Sequence, residues 1–142
     1  MNPSVSWILL TFNRAEIVAR AVSHCMANAG DTWDEFIHVD NGSMDGVREW
    51  VARECKPDIT VYNRTNLGTA RGYNAGLSLA RCEYVVITGC DCKLPDGWLR
   101  TFKDYVTRIE NTGVASMYTQ HWTARPERLR GKYGIQEVRG LP

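Results

Sequence analysis

The 142-residue chain has no apolar run approaching the ~20 residues that span a bilayer. It also lacks the charged start and apolar core of a secretory signal. Neither sign of charge is in excess, because 17 Lys and Arg stand against 16 Asp and Glu, a formal net charge of +1. Nucleic-acid-binding domains usually carry a basic surplus, so the composition gives no support for such a partner. Internal repeats, low-complexity tracts and interdomain linkers are missing, which fits one domain over residues 1–142. The five cysteines, at positions 25, 55, 82, 90 and 92, include no CxxC pair, and His24, His38 and His121 have no metal-like spacing. Cys90-x-Cys92 places two thiols on one side of an extended segment, but nothing completes a ligand set. An odd number of thiols without a zinc pattern suits a reduced, cytoplasmic chain that packs them as small apolar side chains.

What is present is a regular alternation. Val5–Phe12 is a nearly continuous apolar run, as expected of a central strand covered on both faces. Asn13 and Glu16 have the spacing of a capping box, before a helix whose apolar positions are Ile17, Ala21, Val22 and Cys25. Glu35–Asp40 reads as a second strand. Ser43 then caps a helix carrying Val47, Trp50 and Val51, which Lys56-Pro57-Asp58 breaks. Ile59–Tyr62 is a third strand, Gly72–Ala80 a helix rich in small residues, and Tyr84–Thr88 a fourth strand. Pro95-Asp96-Gly97 opens a helix with Trp98, Leu99, Phe102, Tyr105, Val106 and Ile109 at helical spacing. Strands alternating with helices predict an α/β fold, a mostly parallel sheet with helices on both faces. Past residue 111 the pattern weakens into two expected strands, Val114–Trp122 and Gly134–Val138, around a basic loop at Thr123–Lys132. That loop reads as a solvated surface or as a cover for phosphates. No helix follows to cover the last strand, so self-association through it is an expectation.

A parallel sheet gathers the C-terminal ends of its strands on one edge, where open α/β sheets bind ligands. The candidates there are Thr11, Phe12, Asn13 and Arg14, then Asp40 and Asn41, then Gly68 and Arg71, and finally Gly89, Cys90 and Asp91. Helix N-termini and Arg suit phosphate oxygens, and Asp91 suits a hard divalent cation. Asp40 and Asn41 offer acceptors to the N–H of a base or the hydroxyl of a ribose. The set matches a nucleoside diphosphate better than a plain metabolite. Asn13 and Ser43 serve equally as helix caps, and Asp40-Asn41-Gly42 and Asn66-Leu67-Gly68 equally as turns. Arg71 at a helix start and Asp91 at the end of an apolar strand are harder to explain without a partner.

These residues also resemble a known family. Ser6–Arg14 is similar to the opening strand and turn of family-two glycosyltransferases of the GT-A fold. Val39–Gly46 resembles their second-strand motif, Asn66–Leu77 their third, and Leu94–Leu99 the segment after their metal motif. The resemblance implies a nucleotide-sugar donor such as a UDP-sugar, a Mn²⁺ or Mg²⁺ ion bound with its diphosphate, and inverting transfer to an acceptor hydroxyl on a glycan, a lipid-linked molecule or a protein. By position, Thr11 and Asn13 line the nucleoside pocket, and Asn41 pairs with the base where many members have Asp. Arg71 lies near the base or phosphates, and Asp91 is the retained carboxylate of an Asp-x-Asp metal motif whose first Asp is replaced by Gly89. Residues 1–110 then form the donor-binding core and 111–142 a short or truncated acceptor-side extension. Glu127 and Glu137 are the only carboxylates after Trp122, and no catalytic base is assigned.

Overall fold

β1 (Val5–Thr11) is buried along its whole length, as its apolar sequence requires. It pairs in parallel with β2 (Glu35–Asp40) on one side and with β4 (Tyr84–Gly89) on the other. β3 (Ile59–Tyr62) extends the sheet beyond β2, giving the order β3-β2-β1-β4. The computed structural model describes residues 2–109 and three short strands farther along, β6 (Ala115–Met117), β7 (Gln120–His121) and β8 (Ile135–Glu137). β6 pairs antiparallel with β8, and β7 with β5 (Cys92–Lys93). The last expected strand is thus present as β8, paired with β6. The Thr123–Lys132 loop, Glu127 and Gly140-Leu141-Pro142 lie outside the described residues. No helix among the described residues is long and apolar enough to cross a membrane.

One face of the sheet is covered by α1 (Ala15–Ala27), α2 (Val47–Trp50) and α4 (Trp98–Arg108). Trp7 is the centre of that layer. It stacks on Phe36 at 4.6 Å, meets Trp98 at 5.7 Å, and donates its indole N–H to the Thr88 hydroxyl at 2.8 Å. Trp98 in turn donates to the Cys25 carbonyl, so both large buried rings bring their polar atom to a partner. The other face carries α3 (Thr69–Leu77), packed on Ile8, Leu10, Ile37 and Val39. At the edge opposite the candidate site, buried Glu35 accepts from the Ser6 hydroxyl and from the backbone and side chain of Arg81. Burial alone would raise its carboxyl, and these bonds and the Arg81 charge outweigh it, holding the group below its ordinary value.

Three local expectations are corrected. Asn13 does not cap α1: the cap position is Arg14, in the left-handed region, with no side-chain cap bond. Ser43 does not cap α2, which follows Gly46 at φ +90°. After one turn the backbone widens over Val51–Cys55, where Lys56 N–H reaches the Val51 carbonyl five residues back. This keeps Val47, Val51 and Cys55 all buried against the sheet. α3 starts at Thr69 and ends at Leu77, earlier than its small residues suggested, because Gly68 at φ +81° turns the chain directly into the helix.

α3 lies close to the sheet because Gly72 and Gly76 face it. A Cβ on Gly76 would sit 2.7 Å from Ile8 Cγ2 and 3.1 Å from Val39 Cγ2, methyls fixed on β-branched side chains. Gly76→Ala should therefore destabilise the protein by about 1–3 kcal/mol through overpacking, although Ala is the better helix former. Urea unfolding checks this, and equal or greater stability of the variant would contradict the close approach.

Candidate functional site

The order β3-β2-β1-β4 reverses the direction of sheet growth at β1, so the crevice at the strand C-termini opens between β1 and β4. Phe12–Arg14 flanks it on one side and Cys90 with Asp91 on the other. The start of α3 belongs to the same edge, since Gly68 is hydrogen-bonded to Asn41 after β2.

The β2 end is built around a carboxylate. Asp40 is fully buried and accepts hydrogen bonds from the Thr11 hydroxyl, the backbone N–H groups of Gly42 and Ser43, and Arg48 Nε. Burial alone would raise its carboxyl, but the bonds from Ser43 and Arg48, with the Arg48 charge, hold it below its ordinary value. Arg48 also donates to the Asn63 carbonyl at 3.1 Å and lies 5.2 Å over the Tyr62 ring, which ties β3 to the same centre. Behind them, His38 Nε2 is 2.9 Å from Thr11 Oγ1. With the hydroxyl proton directed to Asp40, Nε2 carries the proton that Thr11 accepts. Burial drives the imidazole down to about 4 against the attraction of Asp40, with Arg48 adding to the fall.

Asn41, 2% exposed, uses its whole amide inside the protein. Its oxygen accepts from Asn63 Nδ2 and the Leu67 N–H, both at 3.1 Å. Its nitrogen donates to Asn66 Oδ1 at 2.9 Å and to the Gly68 carbonyl at 3.2 Å. Gly42 lets this loop come close: a Cβ there would lie 2.9 Å from the Thr65 carbonyl carbon, at φ +91°. The acceptors that the sequence assigns to a base or ribose, on Asp40 and Asn41, are therefore engaged within the protein in this structure.

At the β1 end, Asn13 and Arg14 both have positive φ, 52° and 64°. A residue with a Cβ pays roughly 1–2 kcal/mol in that region, Asn less than Arg. The segment after β2 holds the turn in place. Ser43 Oγ accepts the Asn13 N–H, Asn13 Oδ1 accepts the Met44 N–H, and Asp45 accepts the Ala15 N–H. Asn13 and Ser43 thus fasten two loops to each other. Phe12 and Arg14 are exposed.

The β4 end differs. Gly89 leaves room that a Cβ would fill at 3.0 Å from Cys92 Sγ and 3.2 Å from Asp91 Oδ1. Burial and then the Asp91 charge push the Cys90 thiol up, opposed by the Phe12 backbone. Tyr73 of α3 donates its hydroxyl to the Thr88 carbonyl at 3.0 Å, just before this turn. Arg71 is exposed in the first turn of α3, which has no acidic residue and no side-chain cap, so that end of the helix favours an anion. No group of three or more His, Cys, Asp and Glu among the described residues forms a metal cage. A single carboxylate, Asp91, fits a hard cation that takes its remaining oxygens from a diphosphate and water.

A comparison with protein families decides the assignment: the description "Glycosyl transferase family 2" matches residues 6–133. The chain belongs to this family. Among curated proteins, the chain is 27% identical over 114 residues to chondroitin synthase of Escherichia coli, covering 78% of this chain and 16% of that protein. It is 30% identical over 92 residues to the putative colanic acid biosynthesis glycosyl transferase WcaA of Escherichia coli (strain K12), covering 63% and 32%. Among solved structures it is similar to the mannosyltransferase PcManGT from Pyrobaculum calidifontis in complex with GDP-Man and Mn²⁺. That match has a TM-score of 0.62 and 25% identity, covering 81% of this chain and 35% of the other. The chain thus spans about a third or less of the length of these proteins. The fold expected from the sequence, a GT-A type α/β sheet, is the one found.

Sequence reasoning missed Arg48, Asp45, Asn63 and Tyr73. A cation near the start of a helix that follows a buried strand-end Asp was the available signal for Arg48. The others depend on contacts between loops distant in sequence.

The titrating groups give a pH prediction. Below pH 6.5 the unfolded chain protonates His38, whereas the folded protein resists until about 4. The free energy of unfolding should therefore fall as pH is lowered through this window, by on the order of 3 kcal/mol at its acid end. Asp40 and Glu35, held below ordinary values of 3.8 and 4.5, add their loss at still lower pH. Urea unfolding across the range should show the first decline flattened in His38→Gln. An unchanged decline in that variant would show that His38 is not its source.

Proposed function

We propose that this chain forms the nucleotide-sugar site of an inverting glycosyltransferase, with the diphosphate bound in the crevice between the β1 and β4 ends. The observation that carries the reading is the placement of Asp91, the start of α3 with Arg71, and the Phe12–Arg14 turn on one sheet edge. The uncapped N-terminal turn of α3 and the Arg71 guanidinium receive phosphate oxygens, and the exposed ring of Phe12 offers an apolar wall. Asp91 would hold a Mn²⁺ or Mg²⁺ ion, which when bound neutralises the charge of the departing diphosphate. UDP and GDP are the first nucleotides to test, and the acceptor is a hydroxyl of a glycan, lipid-linked molecule or protein.

A second reading, binding of the sugar donor without transfer, is favoured by one observation. Asp40, the carboxylate at the β2 end, is saturated within the protein and so is not placed to serve as general base. Turnover with an acceptor separates the two readings.

Thermal stabilisation by UDP and GDP, with and without Mn²⁺, tests the site. Ligand at a hundred times its dissociation constant should add ~2.7 kcal/mol. Asp91→Asn should abolish the gain from Mn²⁺, and Arg71→Ala should weaken nucleotide binding by about 1.5–3 kcal/mol. Stabilisation unchanged in both variants would place the nucleotide elsewhere.

A further inference from the structure

We propose that Asn41 is a positioning residue whose carboxamide, because it donates as well as accepts, locks the loop of residues 63–68 and so fixes where α3 begins. The orientation of the amide is set by two backbone groups of opposite character. The Leu67 N–H requires an oxygen at 3.1 Å, and the Gly68 carbonyl requires a donor at 3.2 Å. Asn63 and Asn66 complete the arrangement with side-chain bonds on the matching sides, and Asn66 Oδ1 also accepts the Gly68 N–H at 2.8 Å. Gly68 is the residue that turns into α3, so both of its peptide groups are tied to this amide network at the point where the helix starts.

A carboxylate of the same shape cannot do this. It would keep the two bonds to Asn63 and Leu67 but present a second acceptor to Asn66 Oδ1 and the Gly68 carbonyl, in a place where Asn41 is 2% exposed. The close approach of the loop at Gly42 gives it little room to retreat while keeping its other bonds. The consequence for the ligand rests on the nucleotide reading above. An amide with all its bonds made inside the protein shapes the base pocket through the loop and makes no bond to the base itself. Its loss then weakens every nucleotide alike.

The test uses Asn41→Asp, with Asn66→Ala as a second variant at an exposed position. Amide hydrogen exchange, resolved by residue in the nucleotide-free protein, should show Gly68 exchanging about tenfold faster or more in both variants. Val39 in the adjoining strand should be unchanged, and in Asn66→Ala the Leu67 amide should also keep its protection. Titration with UDP and with GDP, each with Mn²⁺, should show both affinities falling by the same factor in Asn41→Asp. Gly68 protection equal to that of the unaltered protein in both variants would overturn the lock. A changed UDP-to-GDP preference in Asn41→Asp with the loop still protected would also overturn it, and would make Asn41 a reader of the base. Should neither nucleotide bind the unaltered protein, the nucleotide reading fails, and the exchange result alone decides the lock.

Discussion

The buried carboxylate of Asp40 is the constraint on which the sheet edge depends. A charge with no solvent exposure is tolerable only if it is surrounded by donors. Here these come from β1 through Thr11, from the turn after β2 through Gly42 and Ser43, and from α2 through Arg48. Arg48 passes the constraint on to β3 by way of the Asn63 carbonyl and the Tyr62 ring. Removing a single partner would leave a buried charge short of a bond, so these elements hold one another in place.

That saturation makes one part of the edge a scaffold. At the β1, β2 and β3 ends, Thr11, Asn13, Asp40, Ser43 and Asn63 bond within the protein, as does the complete amide of Asn41. The left-handed turn at Asn13 and Arg14 belongs to it, held by Ser43, Met44 and Asp45. Across the switch point, the β4 end carries Gly89, Cys90 and Asp91, while the first turn of α3, tied to Asn41 after β2, carries Arg71. Under the proposed nucleotide reading, a ligand bound there would meet this hydrogen-bonded scaffold on one side and the β4 end on the other. Such preorganisation lowers the ordering cost of binding.

β1 was legible because burial on both faces demands a nearly continuous apolar sequence, and the alternation with helices marked the other three strands. β2 and β3 have the bounds their residues suggest, and β1 and β4 differ by a single residue at one end. The edge was legible too, since parallel pairing alone collects Thr11, Asp40, Asn41 and Asp91. The roles of these side chains were less so. Asn13 and Ser43 have the composition of helix caps, yet they bond to each other's loops, because the caps fall on residues with positive φ, Arg14 and Gly46. Asp40 and Asn41 look like ligand acceptors in a linear reading. Only the three-dimensional approach of Arg48 and of the 63–68 loop reveals that their bonds are already made. Spacing rules describe elements, whereas saturation is a property of contacts between them.

The most direct test of the central claim is paramagnetic broadening of backbone amides by Mn²⁺, recorded with and without a nucleoside diphosphate. With UDP or GDP present, the account predicts broadening centred on Cys90 and Asp91. It should spread to Phe12–Arg14 and the first turn of α3, and spare Glu35 and Arg81 at the opposite edge. Broadening centred away from Asp91, or the same pattern and strength without nucleotide, would contradict it.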